Sequence, residues 1–107
     1  MEGQRFTEKD WKLFRNKIAD WQENYMDRLN KEYIELLSMN DSPSEKFWRL
    51  DKRIRADKKK AGVQLEMSRS KLIYNIVSLI SEGVIGLGDI EGFSDKLKET
   101  VRFFVER

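Results

Sequence analysis

Lys46, Trp48, Arg49, Lys52, Arg53, Arg55, Lys59 and Lys60 all fall within one stretch, "KFWRLDKRIRADKKKAG", in which Asp51 and Asp57 are the only acids. At about 100° per residue, Trp48, Lys52, Arg55 and Lys59 line up on one helical stripe at i, i+4, i+7 and i+11. Cations on a common face attract phosphates, and an indole among them gives a base something to stack on. The chemistry on offer is therefore binding of an anionic or nucleic-acid partner. It would be weakly sequence-selective, because no ordered set of base-reading side chains accompanies the cations. A second reading stays open: a solvated face whose charges pair with acids of neighbouring helices.

The charge distribution sharpens both readings. Seven bases and nine acids precede residue 43, ten and four lie from 43 to 71, and four and six follow, so a net charge of +2 hides a basic segment between acidic flanks. Little else points to chemistry. Histidine and cysteine are both absent, which removes imidazole bases, thiol nucleophiles, disulfides and nearly every zinc or haem site. A carboxylate-only Mg²⁺ or Ca²⁺ site would need a loop such as D-x-D-x-D-G, and none occurs. Walker, G-x-G-x-x-G and G-x-S-x-G motifs are missing too. The expectation is a protein with no catalytic residues, no cofactor and no metal.

The elements that must position the basic stripe are helices. Thr7 and Asp10 form an imperfect capping box, and from Trp11 the apolar residues recur at 14, 18, 21, 25, 29, 33 and 36. That spacing predicts one long helix to about Met39, continuous or kinked, since "DWQE" at Asp20–Glu23 is itself a capping pattern. Ser42, Pro43 and Glu45 mark the sharpest boundary in the chain: cap, first helical position and reach-back acid. A second helix follows to about Lys60, with Phe47, Leu50 and Ile54 expected to face the core. A third is expected over about 66–82, ended by Gly83 in a Schellman-type stop with Val84. A fourth is expected over about 87–105, with Gly92 and Ser94 able to split off its first turn.

"LISEGVIGLGDIEGFS" has the rhythm of a helix-turn-helix entry. Only Glu91 and Gly92 separate Ile90 from Phe93, so a plain αα-hairpin is the better reading. The third helix carries Leu72, Ile73, Ile76, Val77, Leu79 and Ile80 over a wide arc and needs neighbours on two sides. Ile90, Phe93, Leu97, Val101 and Phe104 answer it from the fourth. The reading is all-α: four main helices (about 8–39, 43–60, 66–82 and 87–105) in a small bundle, one domain over 1–107. "MEGQRFTEKD" has no apolar leader and no segment is long and apolar enough for a bilayer, so a cytoplasmic location and no membrane partner are expected.

"FTEKDWKLFRNKI", "YMDRLNKEYIELL", "PSEKFWRLDKRIRADKK" and "FSDKLKETVRFF" together resemble a group of small bacterial proteins with no assigned activity, over nearly the whole chain. The resemblance implies no reaction. The functional expectation is a non-catalytic interaction or regulatory module with a protein partner, or a homodimer; the alternative is nucleic-acid binding through the basic helix. Self-association has a geometric motive. A helix from 8 to 39 is about 48 Å long, whereas a compact domain of this size is only about 35 Å across. One end must overhang. The candidate dimer interface is Trp11, Phe14, Tyr33, Leu36 and Leu37, joined by Phe103, which lies off the core stripe of the fourth helix. A break near Asp20 would remove the overhang.

Overall fold

Thr7 opens the first helix. Its hydroxyl accepts from the Asp10 N–H at 3.1 Å, and the Asp10 carboxylate accepts from the Thr7 N–H at 2.9 Å, so the capping box is complete. In the computed structural model, which describes residues 5–106, helix α1 then runs unbroken from Glu8 to Leu37. Residues 1–4, part of the stretch read for an apolar leader, and residue 107 lie outside the described residues. "DWQE" does not interrupt α1. Trp21 packs its ring edge-on to Phe14 at 6.1 Å and against Phe93 at 6.5 Å, so the apolar stripe holds the helix through that point.

The chain turns at residues 38–41 and re-enters helix at Pro43. Ser42 accepts from the Glu45 N–H while Glu45 reaches back to Ser42, as the sequence predicts. Helix α2, Pro43–Asp57, stops three residues short of the expected Lys60. The N–H groups of Lys58 and Lys60 close short turns on Ile54 and Asp57, and the backbone then presses against α1. A Cβ on Gly62 would lie 2.2 Å from a ring carbon of Tyr25, so only glycine fits there. The Gln22 amide donates to the Ala61 carbonyl at 3.0 Å, and the Ala61 N–H donates to Glu82 at 2.7 Å.

Residues 66–68, expected to begin the third helix, are not helical. Two side-chain contacts account for it. Asn75, buried, donates its side-chain N–H to the Glu66 carbonyl at 2.9 Å, and Ser68 and Ser70 bond to each other at 2.9 Å rather than supporting helical turns. One 3₁₀ turn, Arg69–Lys71, leads into α3, Leu72–Ser81. Gly83 then adopts φ +76°, and the Val84 N–H bonds back to Leu79 at 2.8 Å, the stop foreseen in the sequence. Arg28 of α1 covers the same end, donating to the carbonyls of Gly83 and Val84.

A 3₁₀ turn at Leu87–Ile90 precedes α4, Asp95–Val105, so the expected fourth helix is split ahead of Ser94. Asp10 is why Ser94 is a cap. Its carboxylate accepts from the Ser94 N–H at 2.8 Å and hydroxyl at 2.6 Å, and so ties the start of α4 to the start of α1. Leu72, Ile76, Leu79, Leu97 and Val101 are fully enclosed, with Phe14 among them. Phe104 departs from the expected core stripe: it is exposed, rests edge-on against Phe103 at 5.3 Å, and stands at the rim of an open apolar groove with Ile73, Tyr74 and Val77 of α3.

The fold is all-α, with four α-helices and no strand among the described residues. It is also elongated, 57 × 23 × 22 Å with a radius of gyration of 16.8 Å, against about 13 Å for a compact domain of this length. The first half of α1 packs in the core with α3 and α4. Beyond Leu29, α1 packs against α2. No helix among the described residues is long and apolar enough to cross a membrane.

Candidate interaction surface on the helical hairpin

The arm made by α2 and the second half of α1 holds every candidate anion-binding residue. Its seam is polar. Asp57, the only buried residue of α2, accepts from the Tyr33 hydroxyl at 2.6 Å and from Arg53 at 2.9 Å. Arg53 also pairs with Glu32 and lies 5.6 Å above the Tyr33 ring. Burial, the hydrogen bond to Asp57 and the charge of that carboxylate push the Tyr33 phenol up to about 12.

This network decides which way α2 faces. The covered positions are Lys46, Leu50, Asp51, Arg53, Ile54 and Asp57, a stripe centred roughly 60° away from Phe47. Phe47 was expected in the core; it is 61% exposed. Long cationic stems cover apolar surface well, so Lys46 and Arg53 occupy the inner positions and Phe47 is turned to the flank.

The same rotation sends Trp48, Lys52 and Arg55 directly outward; Lys59, past the end of α2, is exposed in the turn that follows. Trp48 is 63% exposed, its ring 4.9 Å from that of Phe47. Arg55 pairs with Asp51 on its own helix; Lys52 and Lys59 make no ion pair with any described residue. The other candidates are engaged or shielded. Arg49 is held by Asp41 at 2.6 Å, Arg53 belongs to the seam, and Lys46 and Lys60 are half-buried. The eight expected residues thus resolve into an outward set of four and an inner or tethered set of four.

The chain matches no protein-family model, no curated protein and no solved structure. Its surfaces carry the argument.

The expected dimer residues divide as well. Trp11 and Phe14 do not belong to any interface. Phe14 is 0% exposed in the core, and Trp11 is buried beside it under the guanidinium groups of Arg15 and Arg69. Tyr33 is half-buried with its hydroxyl committed, and Leu36 is half-buried on the edge facing Arg49 and Arg53. Leu37 and Phe103 are exposed, though at opposite ends of the chain's fold. What the sequence reading missed is Ile34. It is 64% exposed and shares one side of α1 with Asn30 and Leu37. A shallow apolar groove lined by Met26, Asn30, Tyr33 and Ile54 joins that side of α1 to α2, and Phe47, exposed, lies two turns before Ile54 on the same stripe of α2. These residues form one apolar flank on the arm, a quarter-turn from the basic stripe. Spacing could have found it: Asn30, Ile34 and Leu37 repeat at i, i+4 and i+7, parallel to the core stripe.

A metal centre has no counterpart here: no cluster of three acids among the described residues could hold an ion. The two buried carboxylates are both spent on structure, Asp10 on the helix caps and Asp57 on the seam.

Proposed function

We propose that the protein is a non-catalytic interaction module that works as a reversible two-fold pair, the flank of one hairpin packed on the same flank of a second copy. The observation that carries this is Ile34, Leu37 and Phe47 standing in water on an arm whose α2 buries a single residue. Two helices side by side make one layer, and a layer with an apolar face is stabilised when a second layer covers it. At their exposures, covering each of these side chains returns about 1–1.5 kcal/mol. Met26, Tyr33 and Ile54 add to that from the groove.

Size supports the same reading. From Met26 to Met39 the arm runs about 20 Å, and two helices abreast are about 20 Å wide. The face, once side-chain relief is counted, reaches the low end of specific interfaces, roughly 600 Å² per partner. Charge agrees too. Phe47, Asp51, Ile54 and Lys58 recur along the flank edge of α2, and a two-fold axis near Ile54 sets Asp51 of each copy opposite Lys58 of the other. Catalysis is left out of the proposal because the buried carboxylates among the described residues, Asp10 and Asp57, are engaged in structure and no buried lysine stands beside them to serve as a general base.

Light scattering over rising concentration tests it. The mass should climb from 12.8 kDa toward twice that value. A variant carrying Ile34→Glu and Leu37→Glu, both at exposed sites, should hold at the monomer mass with unchanged helicity. A wild-type chain that stays monomeric at a few hundred micromolar sinks the proposal.

A further inference from the structure

The flank leaves the outer face of α2 free, and that face has a chemistry of its own. Trp48, Lys52 and Arg55 lie opposite the seam, exposed along about 10 Å of helix, and Lys59, also exposed, follows in the turn just past the last residue of α2, at the edge of a pocket shared with Gln64 and Glu66. Their only acidic neighbour on the stripe's edge past the first turn is Asp51, already bonded to Arg55. Elsewhere on the hairpin the arginines are tethered by acids of the 38–42 turn and of α1; on this face the two lysines are not. Trp11 is buried and Trp21 half-buried, so Trp48 is the one indole presented to solvent.

We infer that the outer face of α2 binds the backbone of single-stranded nucleic acid, with Trp48 stacking on an unpaired base and Lys52, Arg55 and Lys59 meeting successive phosphates. The helical part of the stripe, from Trp48 to Arg55, accommodates about three nucleotides at the 3.4 Å spacing of stacked bases, and Lys59 in the turn beyond it extends the site. A single strand fits better than a duplex because an indole needs the face of a base, and in a duplex those faces are already stacked on one another. Nothing on the face reads base edges, so binding is nearly indifferent to sequence.

The site adjoins the pairing flank, since Trp48 packs beside Phe47 and Arg55 is bonded to Asp51, and its test separates the two. The probe is a fluorescein-labelled twelve-residue oligo-dT, followed by anisotropy, with a twelve-base-pair duplex and inorganic polyphosphate as competitors. Three phosphate contacts on a single strand give a slope of log K against log salt of about −2, so affinity should fall about 20-fold between 50 and 200 mM salt. Lys52→Gln combined with Lys59→Gln should reduce the slope to about −0.7. Trp48→Ala should weaken binding roughly tenfold and leave the slope unchanged, which separates stacking from charge. The Ile34→Glu, Leu37→Glu variant, at exposed positions away from the stripe, should bind the probe as the wild type does even though it no longer pairs. Equal loss of the probe to duplex or polyphosphate, or a double-lysine variant that binds like the wild type, overturns the inference. So does a Trp48→Ala variant with unchanged affinity.

Discussion

Replacing Asp10 by asparagine changes one oxygen to a nitrogen and should nonetheless be among the costliest substitutions in the chain. Asp10 is 2% exposed and its two oxygens accept from three donors: the Thr7 N–H, the Ser94 N–H and the Ser94 hydroxyl. Through them it caps α1 and positions the residue that caps α4. An amide offers one acceptor oxygen and turns an NH₂ group toward the remaining donors. The Ser94 hydroxyl can rotate to accept from it; a backbone N–H cannot, and is left orphaned. Losing a cap costs about 1 kcal/mol, and an unsatisfied buried donor adds about 1–3 kcal/mol. The expected loss is about 2–4 kcal/mol, a large share of a total of 5–15 kcal/mol, or a fall in Tm on the order of 10–20 °C for a domain of this size.

The pH dependence gives that prediction a second handle. Burial raises the Asp10 carboxyl, but the hydrogen bonds from Ser94 and Thr7 together outweigh it and hold it below its ordinary value. A carboxylate lowered in the folded state contributes stability that is present above its unfolded pKa, near 4, and is lost as pH falls through the lower folded value. The gap between wild type and Asp10→Asn should therefore be widest near neutrality, begin to shrink below about pH 4, where the unfolded chain takes up the proton, and close once pH falls below the lowered folded value. Thermal and urea unfolding followed by circular dichroism measures both effects. An asparagine variant within about 0.5 kcal/mol of wild type at pH 7 would refute the reasoning.

Two further substitutions probe the arm and its root. Gly62→Ala forces a methyl group into the Tyr25 ring and should cost about 1–3 kcal/mol by overpacking, seen as a lower urea midpoint with an unchanged slope. Tyr33→Phe removes the hydroxyl donor from Asp57, which keeps Arg53, so the expected loss is about 1–2 kcal/mol. A phenol raised to about 12 in the folded state stabilises fully below its unfolded pKa, near 10. The difference between Tyr33→Phe and wild type should accordingly vanish between about pH 10 and 12, and a difference that persists at pH 12 would contradict the assignment.

Where local chemistry governs, the sequence was readable. Thr7 with Asp10, Ser42 with Glu45, and Gly83 with Val84 each behave as their short patterns require, because a cap is decided by residues three or four apart. Boundaries fixed from a distance were not. Nothing near Leu65 says that Asn75 will claim the Glu66 carbonyl and keep 66–68 out of the helix; Gly92 and Ser94 did mark a split in the fourth helix, but nothing near them says that Asp10 holds it there. The orientation of α2 failed for the same reason. Its periodicity puts Phe47, Leu50 and Ile54 inside, but a seam built on Tyr33, Arg53 and Asp57 turns the helix and pushes Phe47 out. The overhang of α1 was legible from its length alone. That α2 would cover one side of it and leave Ile34 and Leu37 bare was not.

The pairing of two hairpins through their flanks is most directly tested by a distance between two identical spin labels. The chain contains no cysteine, so Lys58→Cys carries one label per copy and any dipolar coupling is between copies. Lys58 is exposed at the edge of the apolar groove, and helices packed face to face lie 8–10 Å apart. A single short distance, under about 30 Å between labels, is expected at Lys58, with a much longer one for a label at Glu99 on the far end of a 57 Å molecule. Absence of coupling at Lys58 at tens of micromolar, or a short distance at Glu99 in its place, would contradict the account.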